Sequence, residues 1–179
     1  MNEPNGSPIV IVGTHRSGTS VTANSLRTLG LFTGARRDGN GESTFFQRLN
    51  RRLSSEAGGH WTNPLAVVES LSHIDDLPAF VEPLRTHLTG LSAIEYWGAH
   101  AVNRKPFPEL WGWKDPRNGY LLPLWQTVYP ELKVIWVRRD PRACAISMHR
   151  RAGTWRENST QRAASSSLWA VGNSRCRLR

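Results

Sequence analysis

Cysteine is scarce in this 179-residue chain: Cys144 and Cys176 are the only two. They lie far apart and in no metal-ligand spacing, which excludes a disulfide framework and offers no zinc or iron–sulfur pattern. Two reduced thiols in a cytoplasmic protein, with no metal, are the expectation. Long apolar runs are missing as well. No stretch approaches the about 18 residues that a membrane-spanning helix needs, and Met1–Ser7 is polar where a secretory leader would be apolar. Acidic residues are scarce at one end. Residues 133–179 carry 11 of the 23 Lys/Arg against Asp140 and Glu157 alone, so the whole net charge of +9 sits in the last quarter. Such a surplus suits nucleic acid, a membrane surface or a small polyanion. No aromatic-rich RNA motif accompanies it, so the expected partner is a small phosphate-rich ligand rather than nucleic acid.

What is present reads as one globular α/β domain over 1–179. Ile9–Val12 (IVIV) is a short β-branched run, the pattern of a strand buried on both faces. Gly13 follows it. From about Ser17 a helix pattern begins, with Val21, Leu26 and Leu29 at helical spacing and Gly30 as its stop. Lys133–Val137 (KVIWV) repeats the plan as a second buried strand, followed by Asp140 as N-cap and Pro141 as first helical residue. Between the two units, Phe46, Leu49 and Leu53 form one apolar stripe. Leu77, Phe80, Val81, Leu84 and Leu88 form another, behind the acidic start Asp75–Asp76. Trp111–Lys114 is a candidate third strand, with a helix from about Leu122 to Tyr129, and the Trp residues at 111, 113, 125 and 136 are expected in the core or its wall. Strand-to-helix units separated by helices predict a phosphate-loop-like three-layer α/β/α domain around a parallel sheet.

The segment Gly13-Thr14-His15-Arg16-Ser17-Gly18-Thr19-Ser20 is the first with chemistry in it. A glycine turn from a buried strand into a helix aims backbone N–H groups at one spot, which the helix dipole makes attractive to anions. The pattern nearly fits the nucleoside-triphosphate loop GxxxxGK[ST], but Thr19 stands where the lysine belongs, and the cation is Arg16. The hydroxyls of Thr19 and Ser20 remain available to phosphate oxygens. Arg139 and Ser147, eight residues apart, pair a guanidinium that can fork onto a phosphate with a hydroxyl on the following helix.

Together these segments resemble the sulfotransferase family. Arg16-Ser17-Gly18-Thr19-Ser20 is similar to its 5′-phosphosulfate loop, and Val134 through Ser147 to its 3′-phosphate motif. Trp111-Gly-Trp-Lys-Asp-Pro-Arg117 resembles the Lys-Asp-Pro segment of tyrosylprotein-type and many bacterial sulfotransferases. Glu42, Phe46 and Asn50 resemble a bacterial pattern of acid, aromatic and asparagine. The resemblance implies a sulfuryl transfer from 3′-phosphoadenosine 5′-phosphosulfate (PAPS) to an acceptor hydroxyl or amine. It implies that Arg16, Ser17, Gly18, Thr19, Ser20, Arg139 and Ser147 bind the nucleotide, that Arg16 and Lys114 stabilise charge, and that Glu42 is the general base. His15 is the rival base.

The matches run from about Pro8 to Arg151, and family members continue well beyond this point, so the chain is expected to lack a C-terminal part of the family domain. Residues 56–110, where acceptor specificity would lie, match nothing, and the acceptor is left open. Two other classes stand beside the enzyme: a phosphate-loop kinase, set against by the missing loop lysine and the Arg139/Ser147 pair, and a non-enzymatic binder of nucleotide or nucleic acid.

Overall fold

The computed structural model describes residues 6–60, 63–72, 77–102 and 105–151. Its elements run β1 (Ile9–Val12), α1 (Thr19–Thr28), α2 (Thr44–Glu56), α3 (Pro64–Leu71), α4 (Leu77–Thr89), α5 (Ile94–Trp97), β2 (Gly112–Lys114), α6 (Asn118–Val128) and β3 (Lys133–Trp136). A further helix, α7, occupies 141–151. The chain divides into two compact units, the first ending at Arg138 and the second beginning at Arg139.

In the first unit the sheet order is β2-β1-β3, all parallel. β1 is central because its IVIV run can be buried on both faces: Val10, Ile11 and Val12 are all inaccessible or nearly so. Val10 and Val12 look into the larger core, where Phe46 stacks on Trp113 at a 3.8 Å centroid distance and Trp113 meets Trp125 edge-on. The α2 stripe Phe46, Leu49 and Leu53 is buried there, as are Val81 and Leu84 of α4, with Leu77, Phe80 and Leu88 packed against it. Asp75 and Asp76 lie outside the described residues. On the other face Ile11 meets Ala23 of α1 and Leu31, with Ile9, Leu26 and Ile135 beside them. The result is the expected α/β/α layering around a parallel sheet.

The second layer is thin, and one expectation fails at the sheet edge. Val21 and Leu29 of α1 are exposed, and the helix is anchored by Thr19 and Ala23 instead. The thin α1 layer touches the sheet along a narrow stripe, so small residues do the packing. Trp136 is corrected: it is 72% exposed, and β3 is not a buried strand. Among the described residues β3 is bonded to β1 alone, as an edge strand, and the Arg138 guanidinium lies 5.5 Å above the Trp136 ring. Asp140 does cap α7, its Oδ1 accepting from Arg142 N at 3.0 Å.

One position fixes how closely β2 lies against β1. A Cβ added at Gly112 would sit 1.8 Å from the carbonyl oxygen of Ile9, whereas one at Gly119 in α6 would meet nothing within 4 Å. Gly112→Ala should therefore destabilise the fold by about 3 kcal/mol or more through forced strand separation. Gly119→Ala should stabilise it by about 0.5–1 kcal/mol through helix propensity. Urea unfolding of both variants checks the pair; equal effects would contradict this packing.

Candidate functional site

In a parallel α/β sheet the strand carboxyl ends form the edge where ligands bind. β1 delivers Gly13 to that edge, and β2, in register Ile11 with Lys114, delivers Lys114 beside it. The turn after β1 is tight: Ser17 N donates to the Thr14 carbonyl at 3.1 Å. A Cβ at Gly13 would strike Ser17 Oγ, Val137 O and Thr19 Cγ2, all inside 3 Å, so a side chain has no room there. Arg16 has φ 67° and Gly18 φ 108°. For Arg16 this left-handed conformation is strained, the kind of cost that persists where the surroundings impose it. Gly18 then opens α1 and supplies no side-chain cap to its first-turn N–H groups. Thr19 is buried, Ser20 half-buried, and Arg16 and His15 are exposed.

Among the described residues, Ser17 Oγ and Thr33 Oγ1 are the buried side-chain polar atoms that lack a hydrogen-bond partner. Such a group costs about 1–3 kcal/mol if left unsatisfied. In the loop, an orphan hydroxyl within a glycine cradle at an uncapped ten-residue helix fits a phosphate-bearing ligand.

The second half of the site is a buried ion pair. Lys114 Nζ donates to Glu42 Oε1 at 2.9 Å, with the side chains 2% and 9% exposed. The two residues stand on separate segments, Lys114 ending β2 and Glu42 closing the loop before α2. That loop is tied to itself: Asp38 N donates to Glu42 O at 2.9 Å, and Glu42 N to Asp38 Oδ1 at 2.8 Å. Ser43 then caps α2, accepting from Phe46 N. Gln47 Nε2 donates to Glu42 Oε2 at 2.8 Å, so both carboxylate oxygens have partners.

Behind Lys114 lies a second pair. Arg117 Nη1 bonds both oxygens of Asp115, at 3.0 and 2.7 Å, and Arg117 N donates to Oδ1 at 2.8 Å in an Asx turn that leads into α6. Burial pushes the Asp115 carboxyl up from 3.8 to about 6; Arg117 opposes this, and the charge of Glu42 adds to it. Below that lies an amide node. Asn118 Oδ1 accepts from Trp113 Nε1 at 3.0 Å and from Asn50 Nδ2 at 2.8 Å, while Asn50 Oδ1 accepts from Trp125 Nε1 at 3.0 Å. Asn118 Nδ2 reaches the Ile11 carbonyl at 3.3 Å. This node anchors β1, β2, α2 and α6 to one another directly beneath the ion pairs.

Residues 8–177 match the model of the sulfotransferase family. The chain belongs to that family. No curated protein and no solved structure matches it. Of the residues expected to act in a sulfotransferase, the structure brings Glu42 and Lys114 into contact and gathers Arg16 to Ser20 into one loop at the carboxyl edge. Arg139 and Ser147 belong to the second unit. There Arg139 is exposed, three residues past the end of β3 rather than on it, and Ser147 is half-buried on α7. Asp38, Gln47 and Asn118 went unread in the sequence, and Asn50 and Asp115 were read as members of motifs but not as the partners they are here. Their signal is too weak to find there, since each acts by closing a loop or crossing between elements. A cavity of about 520 Å³ lined by Tyr96, Trp97, Phe107, Trp111 and Tyr129 lies elsewhere. Its walls include Ser7 and Glu131, which precede β1 and β3, so it lies toward the amino ends of those strands, away from the glycine loop. Among the described residues no group of acidic, His or Cys side chains could hold a metal, and no helix is long and apolar enough to cross a membrane.

Glu42→Gln or Lys114→Met alone strands a buried charge and should cost about 3–5 kcal/mol, whereas the double variant should recover most of it. A double-mutant cycle by urea unfolding measures this, and additive losses would disprove a direct pair. The raised Asp115 value makes a second, signed expectation. The folded state favours its protonated form, so this stabilisation is full below about pH 4 and is lost as pH rises through about 6. Wild type should lose about 3 kcal/mol relative to Asp115→Asn between pH 4 and 7. Parallel denaturation at each pH reads it, and a pH-independent difference would refute it.

Proposed function

We propose that this chain, as one catalytic domain over 1–179 of the bacterial and tyrosylprotein-like type, transfers a sulfuryl group from PAPS to an acceptor hydroxyl or amine. The observation that carries the reading is the buried Lys114–Glu42 pair on the same sheet edge as the glycine loop. A charged pair taken out of water is a weak device for stability, and a base beside a cation is what a transfer with a proton to remove and charge to neutralise requires. The orphan Ser17 hydroxyl and the uncapped α1 support phosphate binding at the loop. The absence of a loop lysine favours this reading over a phosphate-loop kinase.

When bound, PAPS supplies an electrophilic sulfuryl group and a phosphate leaving group. Arg16, Ser17, Gly18, Thr19 and Ser20 would hold its 5′ end, through loop N–H groups and hydroxyls. Arg139 and Ser147 would hold its 3′-phosphate. Glu42 takes the acceptor's proton. Lys114 carries three N–H donors, of which one serves Glu42, leaving two for oxygens that gain negative charge. A proton arriving on Glu42 removes the charge that holds Lys114, so the ammonium becomes fully available as charge grows elsewhere. Proton removal and charge neutralisation are thereby linked through one 2.9 Å contact. His15, exposed at the loop, is the rival base.

The test is calorimetric titration with adenosine 3′,5′-bisphosphate, 5′-AMP, ATP and a short oligonucleotide. The bisphosphate should bind at least tenfold more tightly than 5′-AMP, a charge-assisted hydrogen bond contributing about 1.5–3 kcal/mol. Arg139→Ala and Ser147→Ala should each narrow that gap. Arg16→Ala and Lys114→Ala should lower turnover more than they weaken bisphosphate binding. Equal affinity for the bisphosphate and 5′-AMP would overturn the assignment.

A further inference from the structure

The carboxylate of Glu42 is held from a direction that the proposed chemistry does not use. Gln47, one turn into α2, donates from Nε2 to Glu42 Oε2 at 2.8 Å and to Asp38 Oδ2 at 3.1 Å. Its own Oε1 accepts from Arg51 Nη2 at 3.3 Å. The amide is therefore oriented without ambiguity, since both partners of the NH₂ are carboxylates and the partner of the oxygen is a guanidinium. Asp38 is fixed in turn, with Oδ1 accepting from the backbone of Glu42 at 2.8 Å and of Asn40 at 2.9 Å. Asn40 Nδ2 adds a longer bond to Oδ2 at 3.4 Å. An exposed glutamate opening a helix needs none of this. Here two carboxylates that would repel each other are bridged by one amide that donates to both.

We propose that Gln47, held by Asp38 and Arg51, is the positioning residue for Glu42. This rests on the sulfotransferase reading of Glu42 as base. A free glutamate side chain samples several rotamers, and a base must lie within hydrogen-bond reach of the proton it abstracts. Lys114 alone cannot fix it, because that contact weakens once Glu42 is protonated. Gln47 fixes Oε2 throughout, which leaves Oε1, the atom beside Lys114, to receive the proton. The helix carries the device: Ser43 caps α2, and residue 47 stands on the first turn facing back along the loop that delivers Glu42. Asp38 and Gln47 do not touch the reacting atoms and act only through Glu42.

Two variants of the full chain test this. Gln47→Leu keeps the size and removes the donor. It should lower kcat about a hundred-fold, the order of loss for a misplaced catalytic group, with the KM for PAPS and the affinity for adenosine 3′,5′-bisphosphate unchanged. Gln47→Glu can donate to Glu42 only when its new carboxyl is protonated. Its kcat should be depressed at pH 8 and climb toward wild type as pH falls to 5, a recovery Gln47→Leu lacks. Circular dichroism melting verifies that both variants are folded. A folded Gln47→Leu with wild-type kcat, or a loss in Gln47→Glu that is the same at every pH, would overturn the proposal. If wild type itself transfers no sulfate, the functional reading falls instead. The Glu42–Gln47 contact is then judged by the ¹³C carboxyl shift of Glu42, which should move in Gln47→Leu; an unmoved shift overturns the positioning as well.

Discussion

A lysine and a glutamate 72 residues apart in the chain meet at 2.9 Å in the interior, and much of the first unit can be understood as what is needed to make that contact tolerable. Desolvating two charges costs several kcal/mol per ion unless geometry and further hydrogen bonds compensate. Here β2 must reach the carboxyl edge beside β1, and the loop before α2 must bring Glu42 back to it. Asp38 and Gln47 supply the other hydrogen bonds of that loop. Beneath it, the Asn118 amide joins both strands and two helices, so Lys114 emerges from a rigid base.

The same economy of space governs the glycine loop after β1. Gly13 is wedged between Ser17, Thr19 and the Val137 carbonyl, and Arg16 adopts a left-handed backbone that a non-glycine residue takes only under constraint. The turn is thus over-determined by its neighbours. That rigidity is what preorganised N–H groups require, because donors already aimed at a site need no reorganisation when charge arrives. Near it the layering is uneven. Aromatic packing fills the face of Val10 and Val12, whereas α1 covers the other face with little more than Ala23 and Thr19.

Several elements were legible from spacing alone. The IVIV strand, the α2 and α4 stripes, the Asp140 cap and the glycine loop all follow from local periodicity or turn chemistry, which act over a few residues. Trp136 was misread for the complementary reason. The KVIWV pattern specifies a strand, but whether a strand is central or at the edge depends on which others pair with it, and among the described residues β3 pairs with β1 alone. The helix that Val21 and Leu29 mark is present, yet both are exposed, since helical spacing says which residues share a face and not how wide a stripe the neighbouring layer covers.

For the site, the sequence by itself determined the chemistry-bearing segments: a glycine turn with Arg16 in place of the loop lysine, Lys114 before Asp-Pro, and a glutamate ahead of an aromatic helix. Those are contiguous patterns, and they lie within the residues 8–177 that match the family. Only the tertiary structure decided that Lys114 and Glu42 are partners, that Asp115 pairs with Arg117, and that Asp38 and Gln47 hold Glu42. Each of these is a contact across a loop or between elements, with no periodic spacing to announce it. Their strength comes from burial, and burial is a property of the packed chain: the same carboxylates and amides in an unfolded chain would be bonded to water and indifferent to one another.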